Sequence, residues 1–373
     1  MRNIKKRVLF GITSLTLGGA ERVLVDVANK LCDMYDITIF SIYSKGEMQK
    51  QLRPEVKFKS MYDCRYDELS HIKKKLIPFK VLLLSRYIYK KYIKENYDVE
   101  ISFLEGPITR LFCIKNKNVK KIAWIHNDIS LVFGNGLKAK IKKFIDKKVY
   151  KKYDDLVFVS KDNLNNFKEL YKNISPDRIH LIYNYIDENK VIEKAMNDDI
   201  DTNIDYSMVN FVSVCRLVPQ KGIDRLIEVH SKLIQEGYMH NFYIVGDGPE
   251  KDKLIHMVKE KNITETFKIL GAKENPYPYI KAADYFCLFS YFEGYGMVLE
   301  EAKILNKKII ITDTAARECL ANYPNGIIVD NSDEAIFNGI KNVLDNPKNK
   351  EGAEIYQYNN TNEIKKIINL VGD

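Results

Sequence analysis

A chain of 373 residues, 45% hydrophobic and 29% charged, exceeds one average core and points to two domains. No apolar run reaches the roughly 18 residues that span a bilayer, and six scattered cysteines with no C-x-x-C pair argue against a disulfide scaffold or a zinc site. The net charge of +9 is unevenly shared: residues 1–185 carry 37 Lys and Arg against 20 Asp and Glu, whereas residues 186–373 carry 22 against 30, an asymmetry that predicts an anionic partner for the first half.

The first half alternates apolar runs with helical patterns. Strands are predicted over residues 7–13, 37–42, 99–104, 121–126, 156–160 and 179–183. The first apolar run is short and is followed closely by Gly18, Gly19, Glu21 and Arg22, so it reads as a strand and not as a signal peptide. Residues 20–32 then place Val23, Val27, Ala28 and Leu31 on one helical stripe. At this junction Gly18 and Gly19 would let backbone approach a ligand, and the helix N-terminus favours a phosphate. The spacing is not G-x-G-x-x-G, and a plain glycine turn accounts for the same residues. Residues 73–94 mix eight Lys and Arg with Leu76, Ile77, Phe79, Leu83 and Tyr87, and residues 138–152 set eight lysines around Ile141, Phe144, Ile145 and Val149. Basic amphipathic helices of this kind lie on anionic membrane surfaces, although a solvated lysine face explains the charge too. No nucleic-acid-binding motif accompanies them. His126 ends the 121–126 strand, with Asp128 as its hydrogen-bond acceptor or as a turn cap.

Residues 187–208 are polar, acidic and aperiodic, and read as a linker. Asp199 and Asp201 form a D-x-D there, but no strand stands behind it, and no metal site is expected. The second half repeats the first scheme, with strands at 211–215, 242–245, 267–270, 285–289, 308–312 and 327–329 and helices near 222–236, 250–260, 297–305 and 333–345. Alternation of this type predicts an α/β protein of two parallel-sheet halves facing across a cleft. Just past a strand, Arg216 and Lys221 supply two cations that would neutralise a diphosphate. Gly246 and Gly248 make a tight turn, either near a ligand or simply structural. After strand 285–289 comes Glu293, a glycine turn, and a helix that contains Glu301. The helix start at Gly296, Met297 and Val298 offers N–H donors to an anion. Eight residues of helix separate Glu293 from Glu301 by about 12 Å. That is too far for one shared proton or metal, but it suits the two ends of a nucleotide sugar.

Taken together, the Gly18-Gly19-Ala20-Glu21 turn, His126, Arg216 with Lys221-Gly222, Gly246-Asp247-Gly248, and Glu293-Gly294 with Glu301-Ala302 resemble the bacterial retaining glycosyltransferases of family 4, over nearly the whole chain. The resemblance implies a GT-B fold with two Rossmann-like domains, 1–186 and 209–357, joined by 187–208 and closed by a crossover helix in 358–373. It implies that Arg216, Lys221 and the backbone of Gly296, Met297 and Val298 hold the donor diphosphate, with Gly246 and Gly248 at the donor pocket. Glu301 would bind the ribose, Glu293 and His126 would act at the transferred sugar, and Gly18 and Gly19 would reach the phosphate. No cofactor or metal is implied. The expected partners are a nucleotide-sugar donor, with UDP favoured, and a lipid-diphosphate-linked saccharide acceptor in cell-surface polysaccharide assembly. The expected location is the cytoplasmic face of the membrane. Cys215 and Tyr185 depart from the family pattern, where glycine is usual. Two other readings share the architecture: a non-hydrolysing nucleotide-sugar epimerase, and an inactive partner subunit of a membrane transferase.

Overall fold

Apolar strands joined by amphipathic helices leave a parallel sheet as the arrangement that buries both faces, and the chain builds two of them. The computed structural model describes residues 5–372 apart from 67, 115, 117, 128, 130–136, 197–199, 201–203 and 347–353. It divides into one unit of residues 1–186 with 360–373 and a second of residues 187–359.

In the first unit the strands are β1 (Arg7–Ile12), β2 (Asp36–Tyr43), β3 (Lys57–Tyr62), β4 (Val99–Ser102), β5 (Lys120–Ile125), β6 (Asp155–Phe158) and β7 (Ile179–Leu181). They pair in parallel in the order β3-β2-β1-β4-β5-β6-β7. The helices α1 (Gly19–Leu31), α2 (His71–Tyr92), α3 (Pro107–Phe112), α4 (Leu137–Tyr150) and α5 (Lys161–Leu170) connect them. Strand β3 was not expected. Its lysines at 57 and 59 interrupt the apolar signal, which an edge strand with half-exposed residues can afford. Burial of Ile77, Val81, Ile88 and Tyr89 seats α2 on the core. Beneath its end, the Tyr89 hydroxyl and the Lys121 ammonium (2.5 Å) converge on Glu100, a buried carboxylate of β4.

The second unit contains β8 (Val209–Val214), β9 (His240–Val245), β10 (Phe267–Gly271), β11 (Tyr285–Leu288), β12 (Lys308–Thr312) and β13 (Gly326–Val329), in the parallel order β10-β9-β8-β11-β12-β13. Its helices are α6 (Glu188–Ala195), α7 (Ile223–Gln235), α8 (Lys251–Glu260), α9 (Tyr277–Ala282), α10 (Met297–Ile304) and α11 (Asp333–Asp345). The expected linker 187–208 is therefore corrected, because it opens with α6. Asp187 caps this helix by accepting the Lys190 N–H, and Val191 and Ala195 bury one side of it. Asn275 further ties it to the unit by donating to the Lys194 carbonyl (2.8 Å). Eight residues with two buried positions give too little periodicity to see in the sequence. The tail ends in α12 (Thr361–Gly372), which belongs to the first unit.

Both sheets share a feature that places function. In the first the strand order reverses between β1 and β4, and in the second between β8 and β11. Loops leaving the carboxyl ends of such a pair diverge to opposite faces and open a crevice, where α/β proteins bind ligands.

Candidate functional site

At the switch point of the second unit, the loop after β8 carries Arg216 and Lys221, and the loop after β11 carries Glu293. The Lys221 ammonium lies 2.5 Å from Glu293 Oε1, and the Ser290 hydroxyl donates to the same oxygen at 2.5 Å. Glu293 Oε2 has no partner among the described residues. The side chain is only 7% exposed. One carboxylate oxygen is thus fixed and the other left available. Lys221, expected on a diphosphate, sits on Glu293 here. Arg216 is exposed, and its guanidinium has no partner among the described residues.

Gly296 caps α10 with a left-handed φ of 77°, a conformation that favours glycine. It turns the chain so that the N–H groups of Met297 and Val298 begin the helix, where such groups lack intrahelical acceptors and the dipole is positive. Four residues on, Glu301 is buried and accepts a hydrogen bond from the Tyr277 hydroxyl at 3.1 Å. Its neighbour Glu300 turns elsewhere, to Tyr295 (2.9 Å) and Lys303 (3.0 Å), and serves the core.

Gly246 and Gly248 are required by the backbone beside them. A Cβ on Gly246 would lie 1.8 Å from the Cys215 carbonyl oxygen, and one on Gly248 2.3 Å from that of Leu217. The two turns are laced by Cys215 N–H to Val245 O (3.0 Å) and Leu217 N–H to Asp247 O (2.9 Å). The glycines are required so that the loop bearing Arg216 can lie against them. They set the arginine's backbone. The partly buried thiol of Cys215, pushed up to about 11 by desolvation, packs in the same turn.

In the first unit, Gly18 and Gly19 follow β1 at the switch point, and His126 follows β5, the strand beside β4. Gly18 is extended (φ −170°), so its backbone does not demand glycine. The atom nearest to a Cβ there would be a Glu21 carboxyl oxygen (2.2 Å), the far end of a flexible side chain that can give way. Gly19 opens α1. Burial pushes the Glu21 carboxyl above its usual range. His126 is 9% exposed and lies tilted against Phe103, and its Nε2 is sealed from solvent without a hydrogen-bond partner among the described residues. Desolvation pushes its imidazole down to about 3, so the ring is neutral at physiological pH. Asp128, Asp199 and Asp201 lie outside the described residues.

Several residues here went unread in the sequence. Glu105, after β4, accepts the Asn127 N–H (2.6 Å) and Asn127 Nδ2 (3.2 Å), and so fixes the turn after His126; burial raises its carboxyl. Its signal was a glutamate before Gly106-Pro107 at a strand end. Ser290 bonds Glu293, and Gln220, Arg225 and Asn331 bond the backbone of residues 289–292 before it, with no motif to mark them.

Two family descriptions match the chain: "Glycosyltransferase Family 4" over residues 17–190 and "Glycosyl transferases group 1" over residues 200–361. Among curated relatives, the N-acetylgalactosamine-N,N'-diacetylbacillosaminyl-diphospho-undecaprenol 4-alpha-N-acetylgalactosaminyltransferase of Campylobacter jejuni is 28% identical over 90% of each chain. A second Campylobacter jejuni enzyme, an alpha-1,4-N-acetyl-D-galactosaminyltransferase acting on a GalNAc-containing diNAcBac-PP-undecaprenol, is 29% identical over 88% of this chain and 86% of its own. Among solved structures, Anabaena HepE in complex with UDP and glucose shares the fold with a TM-score of 0.72, at 15% identity over 98% of this chain and 99% of its own.

Proposed function

Because this chain belongs to glycosyltransferase family 4 and has the GT-B fold, we propose that it transfers a sugar from a UDP-sugar to a lipid-diphosphate-linked saccharide, with retention of anomeric configuration and without a metal. The chain is a glycosyltransferase of bacterial polysaccharide or lipid-linked saccharide assembly. The donor, the stereochemistry and the independence from metal are the proposal. The single observation that carries it is the grouping of Arg216, Lys221, Glu293 and the α10 N-terminus at one switch point.

The chemistry follows from charge. Breaking the bond between the anomeric carbon and the diphosphate oxygen leaves negative charge on the diphosphate. Arg216, Lys221 and the N–H groups of Met297 and Val298 supply fixed positive potential there, the service a divalent cation performs elsewhere. The departing phosphate oxygen accepts the proton of the incoming hydroxyl, so no enzyme nucleophile is needed. Glu293, with one oxygen anchored by Lys221 and Ser290, offers the other to a sugar hydroxyl. Lys221 then exchanges part of its contact with Glu293 for the diphosphate when donor binds. Glu301 hydrogen-bonds the ribose, and His126, kept neutral by desolvation, is fitted to act as a hydrogen-bonding group and not as an acid.

The acceptor reading draws support from the relatives, whose names specify diphospho-undecaprenol substrates, and from α2. While Ile77, Val81 and Ile88 face the core, Ile72, Leu76, Phe79, Leu83 and Tyr87 form an exposed stripe on the same helix. Lys73, Lys74, Lys80, Arg86, Lys90 and Lys91 flank it. Among the described residues no helix is long and apolar enough to cross a membrane. A helix apolar on both sides and edged with cations suits peripheral attachment to an anionic bilayer.

The deciding experiment incubates the purified protein with UDP- and GDP-sugars, with and without a polyprenyl-diphosphate saccharide, in EDTA. Acceptor-dependent release of UDP, unaffected by EDTA and giving an α-linked product from an α-linked donor, is expected. Interconversion of free nucleotide sugars, or strict dependence on added metal, would overturn the reading.

A further inference from the structure

We propose that Arg225 is the positioning residue for Glu293: its guanidinium holds the segment 289–292 in the one conformation that presents the Glu293 carboxylate. This rests on the reading of Glu293 as a residue of the sugar-transfer site. Arg225 lies in the first turn of α7 and is 4% exposed, yet among the described residues no carboxylate pairs with it. A buried arginine without an anion is costly unless its nitrogens find fixed acceptors. Here Nε donates to the Phe289 carbonyl at 3.0 Å, Nη2 donates to the same oxygen, and Nη1 donates to Asn331 Oδ1 at 2.8 Å. The face of the guanidinium stacks on the Tyr291 ring, 4.1 Å from its centroid.

The neighbouring backbone is held with the same care. Tyr291 N–H donates to the Gln220 carbonyl, and Asn331 Nδ2 donates to the Tyr291 carbonyl, each at 2.8 Å. Gln220 Nε2 donates to the Phe292 carbonyl, also at 2.8 Å. So the loop that ends in Glu293 is tied to the turn that carries Lys221 by side chains on both sides of it. Gly222 belongs to the arrangement. It is left-handed (φ 62°), and a Cβ there would meet the Phe289 oxygen at 2.5 Å and Arg225 Nε at 2.8 Å. Any other residue at 222 would displace the arginine from the carbonyl it holds. A lysine at 225 has neither the two-pronged donor nor the flat face, so it cannot substitute.

The test compares Arg225→Lys, Arg225→Met and Tyr291→Leu with the wild-type full chain, measuring kcat and donor KM for transfer and Kd for UDP by calorimetry. Loss of a fixed reacting geometry is worth roughly 100-fold in rate. We expect kcat to fall by about that factor in both arginine variants, with Kd for UDP within about threefold of wild type. The milder Tyr291→Leu, which leaves all the guanidinium bonds in place, should fall by about tenfold. Tyr291→Leu also keeps the question open to test should an arginine variant fail to fold. Recovery of rate in Arg225→Lys, or a loss of UDP affinity parallel to the loss of kcat, would overturn the proposal. A wild-type protein that binds UDP but transfers nothing would instead count against the transferase reading on which it rests.

Discussion

The Lys221–Glu293 pair makes the cation a shared resource. One ammonium serves the carboxylate in the free protein, and on the proposed reading it also serves the diphosphate when donor is present. Removing Lys221 leaves a carboxylate of 7% exposure with only the Ser290 hydroxyl for company, and breaking such a pair from one side is usually worse than removing both partners. Lys221→Ala is therefore expected to weaken UDP binding by roughly 10-fold or more and to lower stability. Glu293→Gln should keep UDP binding near wild type and lower turnover by about 100-fold. In the double variant, stability should recover part of what Lys221→Ala lost, giving a coupling of about 1–3 kcal/mol. Denaturation and UDP titration of the four proteins measure it. Strict additivity, or full turnover in Glu293→Gln, would remove this carboxylate from the site. Gly246 and Gly248 teach the complementary lesson at this scale. A glycine in a motif can be required by neighbouring backbone, as the 1.8 Å clash at the Cys215 oxygen shows.

Among the elements, α2 carries an apolar face that the fold does not use. Its sequence pattern is blurred because both sides are apolar: the side facing the core at Ile77, Val81 and Ile88, and the opposite stripe from Ile72 to Tyr87. Pro78 and the non-helical backbone at Leu84 (φ −110°, ψ 19°) bend it along its length. Burying Leu76, Phe79 and Leu83, each roughly half or more exposed, would contribute on the order of 1.5–3 kcal/mol apiece. The flanking lysines add attraction to an anionic surface, about 1 kcal/mol each near it. Wild-type protein is expected to float with phosphatidylglycerol vesicles, with binding weakened but not abolished by salt. The triple change Leu76→Glu, Phe79→Glu and Leu83→Glu should reduce vesicle binding at least 10-fold while leaving transfer to a short, soluble acceptor intact. Equal flotation of the two proteins would show that the stripe faces something other than lipid.

Across the whole molecule, the sequence made the two α/β units, twelve of the thirteen strands and the charged set around Glu293 legible, because buried parallel strands are continuous apolar runs and site residues follow them directly. The missing strand, β3, and the helix α6 were hidden for a common reason: each buries few side chains, so its pattern is weak. Glu105, Arg225, Gln220 and Asn331 were illegible for a different one. Their work is to hold the backbone of residues far away in sequence, and spacing does not record that. The chain divides after residue 186, and its last helix completes the first unit. In α12, Ile364, Ile367, Leu370 and Val371 are buried. Lys120 donates to the Leu370 carbonyl (2.7 Å) and Lys6 to that of Gly372, cations at a helix C-terminus where the dipole favours them. At the other end Glu363 accepts the Tyr183 N–H (2.8 Å), and Asn360 donates to the Ile186 carbonyl (2.6 Å). Four buried apolar side chains at about 1.5–3 kcal/mol each rival the entire stability of an ordinary domain. Calorimetry of a chain ending at residue 359 should accordingly lose or strongly lower the unfolding transition of residues 1–186. The transition of residues 187–359 should stay in place and still rise with added UDP, since a ligand that binds only the folded form stabilises it by mass action. The point change Ile367→Ala, at a fully buried position, should lower the first transition alone, by about 2–5 kcal/mol. Equal loss in both transitions would mean that the last helix stabilises the molecule as one cooperative body and not the first unit in particular.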